Sequence, residues 1–378
     1  MATEIARGTS RNKRALIIGI IIVAVAAVFA MRSWMSADDP QGQVIKVGAI
    51  LPQTGAGAVF AQYIEDGIDL AVEEINATEQ LQIKVLYEDS KNQPREGVTV
   101  YNKLVSTEKP PVVIVALSSV AKALAPLAAQ SDTTQVYIAV AIPNITDGKR
   151  AFRVYPEALG IAEVIAQFNA EKLKAKTSAV IYVNDDYGRV SMDAYKSKFE
   201  QDGRTVVFAE SYELQQTDFR SQISKLKEIT PAPEVIYLCG YGPSYASVVR
   251  QLKEQQVSSK LTADMTMGLP ETLTQVGDAA EGVFFVDGKV SPEFADTFNR
   301  RYGRKPTSYA GYAYDIIRLL HKTAKDKGTF TADSVRDGLL GVKDYHGAMG
   351  NVTINENGDS TFEFVVKRVA GQNVTVME

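Results

Sequence analysis

Short apolar runs alternate with amphipathic stretches from Val44 onward, and this rhythm predicts β-strands alternating with α-helices. The apolar runs of the first half are Val44–Leu51, Ile83–Tyr87, Val112–Leu117 and Val136–Ile142. The helical patterns between them are Tyr63–Asn76, Pro94–Ser106 and Ala121–Gln130. In the first of these, apolar residues recur at spacings of three and four, as on one face of a helix.

The same rhythm restarts after Pro156 and predicts a second array of strands and helices. Its predicted strands are Ser178–Val183, Thr205–Ala209, Val235–Cys239 and Val283–Val286. Its predicted helices are Leu159–Leu173, Tyr187–Gln201, Phe219–Ile229, Tyr245–Gln255, Pro292–Tyr302 and Ser308–Lys325. The tail, Gly350–Val376, differs, because the turn at 355–359 between two β-rich runs predicts a hairpin.

Strands this apolar have no solvated face, so each array predicts a parallel sheet covered by helices on both sides. Two such arrays without a low-complexity linker indicate two lobes joined by tight crossings. The cleft between two such lobes is the expected ligand site.

The N-terminal segment has a different character. Residues 15–31 form an uncharged apolar run behind Arg7, Arg11, Lys13 and Arg14. As a helix the run would reach about 25 Å, the short limit for spanning a bilayer. It is either a signal peptide or an uncleaved anchor, and in both cases the chain after Met31 is expected outside the cytoplasmic membrane.

Composition narrows the function. The 378 residues include one cysteine, Cys239, and two histidines, His321 and His346, which exclude an intrachain disulfide and leave little for a metal site. Beyond residue 37 the formal charge is −8, which disfavours nucleic acid as a partner. We expect no cofactor and no metal.

Catalytic motifs are weak or missing. Ser119 and Lys122 have S-x-x-K spacing, but the supporting S-D-N and K-T-G motifs do not follow. There is no P-loop, no G-x-S-x-G motif and no complete dinucleotide fingerprint around Gly240. These observations argue against an enzyme.

Ligands of open α/β sheets bind beyond the carboxyl ends of strands, so the residues there are the candidates. Phe60 follows the turn after the first strand, and Ser118 and Ser119 open the helix after the third. Hydroxyls and free amides at a helix N-terminus suit a carboxylate, although either serine could serve only as a helix cap.

Further candidates follow the later strands. Ile142 and Asn144 flank Pro143 at the end of the fourth predicted strand. Tyr241 follows the strand Val235–Cys239, and Asp264 follows a further predicted strand, Lys260–Ala263. Tyr309 belongs to an aromatic stretch that opens a helix, where ordinary packing is an equal alternative. Cys239 lies inside a strand and is expected to be an inert packed thiol.

At these loops the sequence resembles the periplasmic solute-binding proteins of the branched-chain amino-acid type, which serve ATP-driven importers. The matching phrases occur in order over residues 44–370. They are Ile45–Gly55, Gly67–Ala77, Ser118-Ser119, Phe152-Arg153 with Pro156, Asp186–Gly188, Thr217–Phe219, Gly240–Gly242, Ala280–Phe285 and the late hairpin.

The resemblance implies two doubly wound lobes of type I periplasmic binding protein fold, joined by three crossovers that close on a ligand. It implies a first lobe of residues 44–157 with 289–363 and a second of 158–288 with 364–378, after an N-terminal segment of 1–43. By position, the family's carboxylate-binding hydroxyl falls on Ser119, with Ser118 beside it. The family's backbone-binding loop falls on Ile142 and Asn144, and its second-lobe aromatic residue falls on Tyr241. Its apolar side-chain pocket falls on Phe60 and Tyr309, and Tyr187 lies at the rim of the second lobe.

Two positions depart from the family's pattern. Asn144 stands where many relatives have threonine, and strict spacing places Met265, one past Asp264, where amino-acid binders hold an acid for the ammonium. A one-residue shift of the loop would bring Asp264 to that place. Otherwise the ligand is expected to lack an ammonium, because an unpaired charge in a closed cleft costs several kcal/mol.

The sequence therefore predicts an extracytoplasmic binding protein that captures an amino acid or related carboxylate or amide and delivers it to the permease of an ABC importer. The alternative is a ligand-sensing module tethered by residues 15–31, without a transport role.

Overall fold

The structure, a computed structural model, describes residues 44–371 and 373–377. The predicted signal peptide or anchor at 15–31 lies outside the described residues, and so does the tether of the sensing alternative. Within the described ranges, no helix combines the length and the apolar character needed to cross a bilayer.

The first sheet has five strands in the order β2-β1-β3-β4-β5. They are β1 Val44–Leu51, β2 Gln82–Asp89, β3 Val112–Ala116, β4 Thr134–Ile138 and β5 Ala151–Arg153. The pairs β1–β3, β3–β4 and β4–β5 are parallel. Both faces of β3 are buried, because Ile114 packs into one hydrophobic core and Val113 and Val115 into another.

Helices cover both faces of this sheet. They are α1 Ala58–Thr78, α2 Pro94–Thr107, α3 Ser118–Ala128, α9 Pro292–Tyr302, α10 Ser308–Lys327 and α11 Ala332–Leu340. Helix α1 packs against α10 on one face, and α2 packs against α3. Ser291 accepts a hydrogen bond from the amide of Phe294 and so caps α9. We call this sheet and its helices the first lobe.

The second sheet has seven strands in the order β15-β14-β10-β9-β8-β6-β7. They are β6 Thr177–Val183, β7 Thr205–Tyr212, β8 Val235–Cys239, β9 Lys260–Ala263, β10 Phe284–Gly288, β14 Phe364–Ala370 and β15 Asn373–Met377. The strands from β6 to β10 pair in parallel, and β14 and β15 add an antiparallel edge.

Helices also cover both faces of the second sheet, which with its helices forms the second lobe. They are α4 Ala158–Gln167, α5 Asp186–Phe199, α6 Arg220–Glu228, α7 Pro243–Glu254 and α8 Pro270–Val276. Helices α4 and α5 pack together, and Tyr237 of β8 lies in their core. Leu238, the next residue, lies in the core that contains α7. The predicted α/β class with two doubly wound lobes is confirmed.

Three connections join the lobes: from β5 into α4, from β10 into α9, and from β13 (Ser360–Thr361) into β14. A small sheet of β11 Tyr345–Gly347, β12 Gly350–Ile354 and β13 precedes the third. Arg153, fully buried, binds Asp359 beside that sheet through Nε at 2.9 Å and pairs with Glu157 at the first connection. One guanidinium therefore ties two of the three connections together.

Candidate functional site

The carboxyl ends of the two sheets meet around a small central cavity of about 20 Å³. Leu117, Ala139 and Tyr155 come just after β3, β4 and β5, while Tyr241 and Thr266 follow β8 and β9. Phe60, Ser118, Tyr187 and Tyr309 complete the lining. Both lobes therefore contribute to one cavity, and its volume is about that of a single water molecule.

Aromatic rings form most of this wall. Phe60 packs edge-on against Tyr241 of the other lobe with ring centroids 5.6 Å apart, and it contacts Tyr309 at 5.1 Å. Tyr309 stacks on Tyr155 at 5.8 Å, and Tyr187 lies 6.4 Å from Tyr241. A small guest that displaces these rings would be surrounded by apolar faces and tyrosine hydroxyls.

The first-lobe wall is built on the N-terminus of α3. Leu117 is its N-cap residue, with a φ of 69°, and no side chain caps the helix. The cap alternative for Ser118 and Ser119 is therefore wrong, because the helix begins at Ser118 itself. The hydroxyl of Ser118 accepts a hydrogen bond from the amide of Ala141 at 3.2 Å, and the first-turn amides have no intrahelical partner. These amides can receive an anion.

Backbone strain accompanies this wall. Leu117, Ala139 and Asn144 have φ values of 69°, 53° and 55°, in the left-handed region that residues other than glycine rarely occupy. Such outliers cost of order 1–3 kcal/mol each and cluster where a ligand is held. Arg153 stabilises the loop that contains Asn144, because its guanidinium donates to the carbonyl of Ile142 at 2.7 Å.

The second-lobe wall rests on a buried carboxylate. Asp264 is completely buried and accepts four hydrogen bonds. The donors are the hydroxyls of Tyr187 (2.7 Å) and Tyr245 (3.0 Å) and the amides of Gly240 (2.8 Å) and Thr266 (3.1 Å). Burial raises the pKa of Asp264 to about 6, and the four hydrogen bonds oppose that rise.

A second carboxylate fixes Tyr241. Its hydroxyl donates to Asp185 at 2.5 Å and accepts from the side-chain amide of Asn92, in the first lobe, at 3.1 Å. Asp185 also caps α5 by accepting from the amide of Gly188 at 2.9 Å. Burial raises the pKa of Asp185, and the hydrogen bond from Tyr241 opposes that rise.

Other contacts cross the cleft. Lys122 of α3 forms a 2.8 Å ion pair with Asp186 of α5. The hydroxyl of Tyr63 donates to Glu271 at 2.7 Å, and that of Tyr155 lies 3.6 Å from the sulfur of Met265. The two lobes are thus in direct contact around the cavity.

A second, larger cavity of about 340 Å³ lies at the edge of the cleft, and we call it the rim cavity. Its lining is Lys122, Ala125, Pro126, Ile142, Pro143, Asn144, Ile145, Asp186 and Val190. The first seven belong to the first lobe and the last two to the second.

The structure divides the predicted site residues among three places. Phe60, Ser118, Tyr187, Tyr241 and Tyr309 line the central cavity. Ile142 and Asn144 line the rim cavity instead, on the loop that follows the end of β4 at Ile138. Ser119 and Asp264 line neither. The predicted site residues therefore do not all line one cavity, and the ligand contacts of all nine residues stay predictions.

Asp264 lies behind the cavity wall, since Tyr187 and Thr266 stand between its carboxylate and the cavity and both bind it. Met265 is buried beside Tyr155. A direct contact of Asp264 with a ligand would require Tyr187 to move.

Sequence reasoning missed four lining residues: Leu117, Ala139, Tyr155 and Thr266. Each lies within three residues of a strand end, so the rule that points to strand ends covers them all. Tyr155 was hidden because β5 has only three residues, too few for a periodic pattern.

The possible metal ligands and the thiol of residues 44–371 and 373–377 are the remaining reactive groups. No group of three or more His, Cys, Asp or Glu side chains there could hold a metal ion. Cys239 is completely buried, and burial raises the pKa of its thiol well above the usual value. It is a packed, unreactive thiol.

Comparisons with known proteins agree with this geometry. A family model described as periplasmic binding protein matches residues 44–371. The chain is 25% identical over 348 residues to a Leu/Ile/Val-binding protein homolog of Brucella abortus, covering 89% of this chain and 91% of that protein.

Two solved structures share the fold. A leucine-binding protein of Thermotoga maritima superposes with a TM-score of 0.83 at 25% identity, covering 88% of this chain and 98% of that chain. A solute-binding protein of an ABC transporter from R. palustris, in complex with benzoate, has a TM-score of 0.79 at 18% identity, covering 88% and 95%.

Proposed function

The chain belongs to the periplasmic binding protein family, whose members bind solutes rather than catalyse reactions and work outside the cytoplasm, and from this premise we propose that it captures a small carboxylate-, amide- or amino acid-like solute and delivers it to the permease of an ABC importer. One observation carries the proposal. The lining of the central cavity comes from both lobes, so a guest bound there holds the lobes together.

Hinge closure is the second part of the proposal. The lobes comprise residues 44–157 with 289–363 and residues 158–288 with 364–378, and they rotate about the three connections. The contacts between Asn92 and Tyr241, Lys122 and Asp186, and Tyr63 and Glu271 form when the lobes close. A permease that binds only the closed arrangement of the lobes would select the protein with its solute bound.

The solute's polar head is assigned to the first-lobe wall. The free amides at the start of α3, together with the Ser118 hydroxyl, suit a carboxylate or amide oxygen. The second-lobe wall offers no free carboxylate to an ammonium, because Asp264 and Asp185 are engaged by internal donors. Benzoate, the ligand of the R. palustris structure, has this chemistry, whereas leucine adds an ammonium.

A thermal-shift panel of leucine, phenylalanine, benzoate, 4-hydroxybenzoate and acetamide tests the proposal. A solute present at a hundred times its Kd should add about 2.7 kcal/mol of stability and raise the melting temperature. The variant Tyr241→Ala should weaken the binding of any hit at least tenfold, because it removes an aromatic wall of the cavity.

The matched control is Tyr87→Ala. Tyr87 donates to Asp69 at 2.6 Å, as Tyr241 donates to Asp185, but it lies on β2 and lines neither cavity. This variant should leave the Kd unchanged. A hit whose affinity falls equally in both variants would contradict the assigned site, and the absence of any hit would contradict the assigned solute class.

A further inference from the structure

The cleft does not end at the central cavity. On the first lobe, α3 carries Ser118 at the central cavity and Lys122 and Ala125 at the rim cavity. On the second lobe, Tyr187 and Val190 of α5 make the same connection. The two cavities are therefore neighbours along one cleft.

Their sizes differ in a way that bears on the ligand. The central cavity holds about 20 Å³, whereas the rim cavity holds about 340 Å³, within the range of about 300–1,000 Å³ typical of ligand pockets. An apolar cavity of about 150 Å³ is already large enough for benzene. The rim cavity thus has room for an alkyl or aryl group without any movement of its walls.

The wall of the rim cavity is mainly apolar. Ile142 and Ile145 are each 7% exposed and contribute aliphatic surface, as do Ala125 and Val190. Pro126 has no N–H, so it cannot donate to the carbonyl of Lys122, its usual helical partner in α3. The side chain of Asn144 makes no hydrogen bond to the part of the chain that the structure describes. The polar side chains of the lining are Lys122, Asn144 and Asp186, and Lys122 and Asp186 pair with each other at 2.8 Å. The rest of the wall is apolar, as in a site for the less polar end of a solute.

We propose that the rim cavity is a second subsite, which binds an apolar alkyl or aryl extension of a solute whose carboxylate or amide head occupies the central cavity. This assignment rests on the proposed function. The solute class is accordingly an amphipathic acid or amide longer than the amino acids of common proteins. Because Val190 and Asp186 come from the second lobe and the rest from the first, the extension is bound only when the lobes close.

Two pairs of probes test the subsite by isothermal titration calorimetry: benzoate with 4-propylbenzoate, and 2-aminopentanoate with 2-aminooctanoate. Within each pair the long probe adds three carbons to the same head. At about 0.8 kcal/mol per buried methylene, full burial corresponds to about 50-fold. We expect the unaltered protein to bind at least one long probe ten to 50-fold more tightly than its short partner.

Val190→Trp should fill the rim cavity and reduce that ratio to about threefold or less, while the affinity for the short probe stays within about threefold. Ser197→Trp is the matched control, because Ser197 is an exposed residue two turns further along the same helix, and it should keep the full ratio. Ala125→Phe fills the cavity from the first lobe and serves if Val190→Trp does not fold.

The outcomes separate the two proposals. Equal binding of long and short probes by the unaltered protein, or an unchanged ratio in both cavity-filling variants, overturns the subsite and leaves the proposed function standing. Failure of all four probes to bind overturns the assigned solute class and the subsite with it.

Discussion

The two walls of the cleft are built in different ways. In the first lobe the left-handed positions are Leu117, Ala139 and Asn144, each with a Cβ atom. In the second lobe the corresponding turn uses Gly240 and Gly242, with φ values of 150° and 81°. Backbone strain is therefore concentrated in the first wall.

The second wall has a different source of strain, which is a buried carboxylate. Asp264 is desolvated completely and is held by four donors from four residues, whereas the Ser118 hydroxyl accepts one hydrogen bond. The first wall therefore presents unengaged backbone amides to a guest, and the second presents tyrosines already fixed by carboxylates. Under the proposed function, the first lobe binds the anionic head of the solute and the second supplies a rigid surface.

The substitution Asp264→Ala should have the largest effect on the second wall. The substitution leaves two buried amides and two tyrosine hydroxyls without their acceptor, so we expect the free energy of unfolding to fall by about 4 kcal/mol. Urea denaturation measures it. Asp186→Ala is the control in the same lobe, because its carboxylate pairs with the largely exposed Lys122, and it should cost less than about 1 kcal/mol. Equal losses in the two variants would mean that the buried network does not rigidify the second wall.

The pH dependence sharpens the same point. The pKa of Asp264 is raised from 3.8 to about 6, so between these values the folded state binds more protons than the unfolded state, and stability falls as pH rises. Two pKa units correspond to about 3 kcal/mol.

Asp264→Asn removes this titration. The unfolding free energy of the unaltered protein minus that of the variant should therefore be largest at pH 4, the lowest pH measured, and smaller by about 2.5 kcal/mol at pH 7. Urea titrations at pH 4, 5, 6 and 7 measure the difference. A difference independent of pH would show that Asp264 is not strained by burial.

The smallest effect is expected at the first wall. Ala139→Gly relieves a left-handed alanine and should raise the free energy of unfolding by about 1 kcal/mol. Ala141→Gly, two residues further along the same loop, relieves no such strain and should lower it by about 0.5–1 kcal/mol. Thermal or urea unfolding of both variants checks the sign. A loss in both would place the strain elsewhere.

Much of the fold follows from local pattern. Strands β1 and β8 and helix α9 have the predicted bounds, because their apolar periodicity and caps are read within one segment. Strand β4 was placed too far along, since Val140, Ala141 and Ile142 continue the apolar run although the chain has already turned at Ala139. That turn is decided by tertiary packing and is invisible to periodicity.

The candidate site was predictable in its outline and not in its detail. The rule that ligands lie beyond strand ends led to Phe60, Ser118 and Tyr241, and the family resemblance added Tyr187 and Tyr309; all five line the central cavity. The position of Asp264 could not be predicted, because its four donors come from three separate stretches of chain around Tyr187, Gly240 with Tyr245, and Thr266. Spacing along a sequence does not reveal which donors converge in space.

Tyr187 covers the carboxylate of Asp264. Its hydroxyl occupies one oxygen of Asp264, 2.7 Å away, and its ring forms the wall that faces the guest. Exchange of this one tyrosine for a small residue would uncover an acid beside the bound molecule and turn a neutral chamber into one that attracts cations. A related protein would thus need one substitution to change from binding acids to binding zwitterions, because the buried carboxylate is already part of the fold.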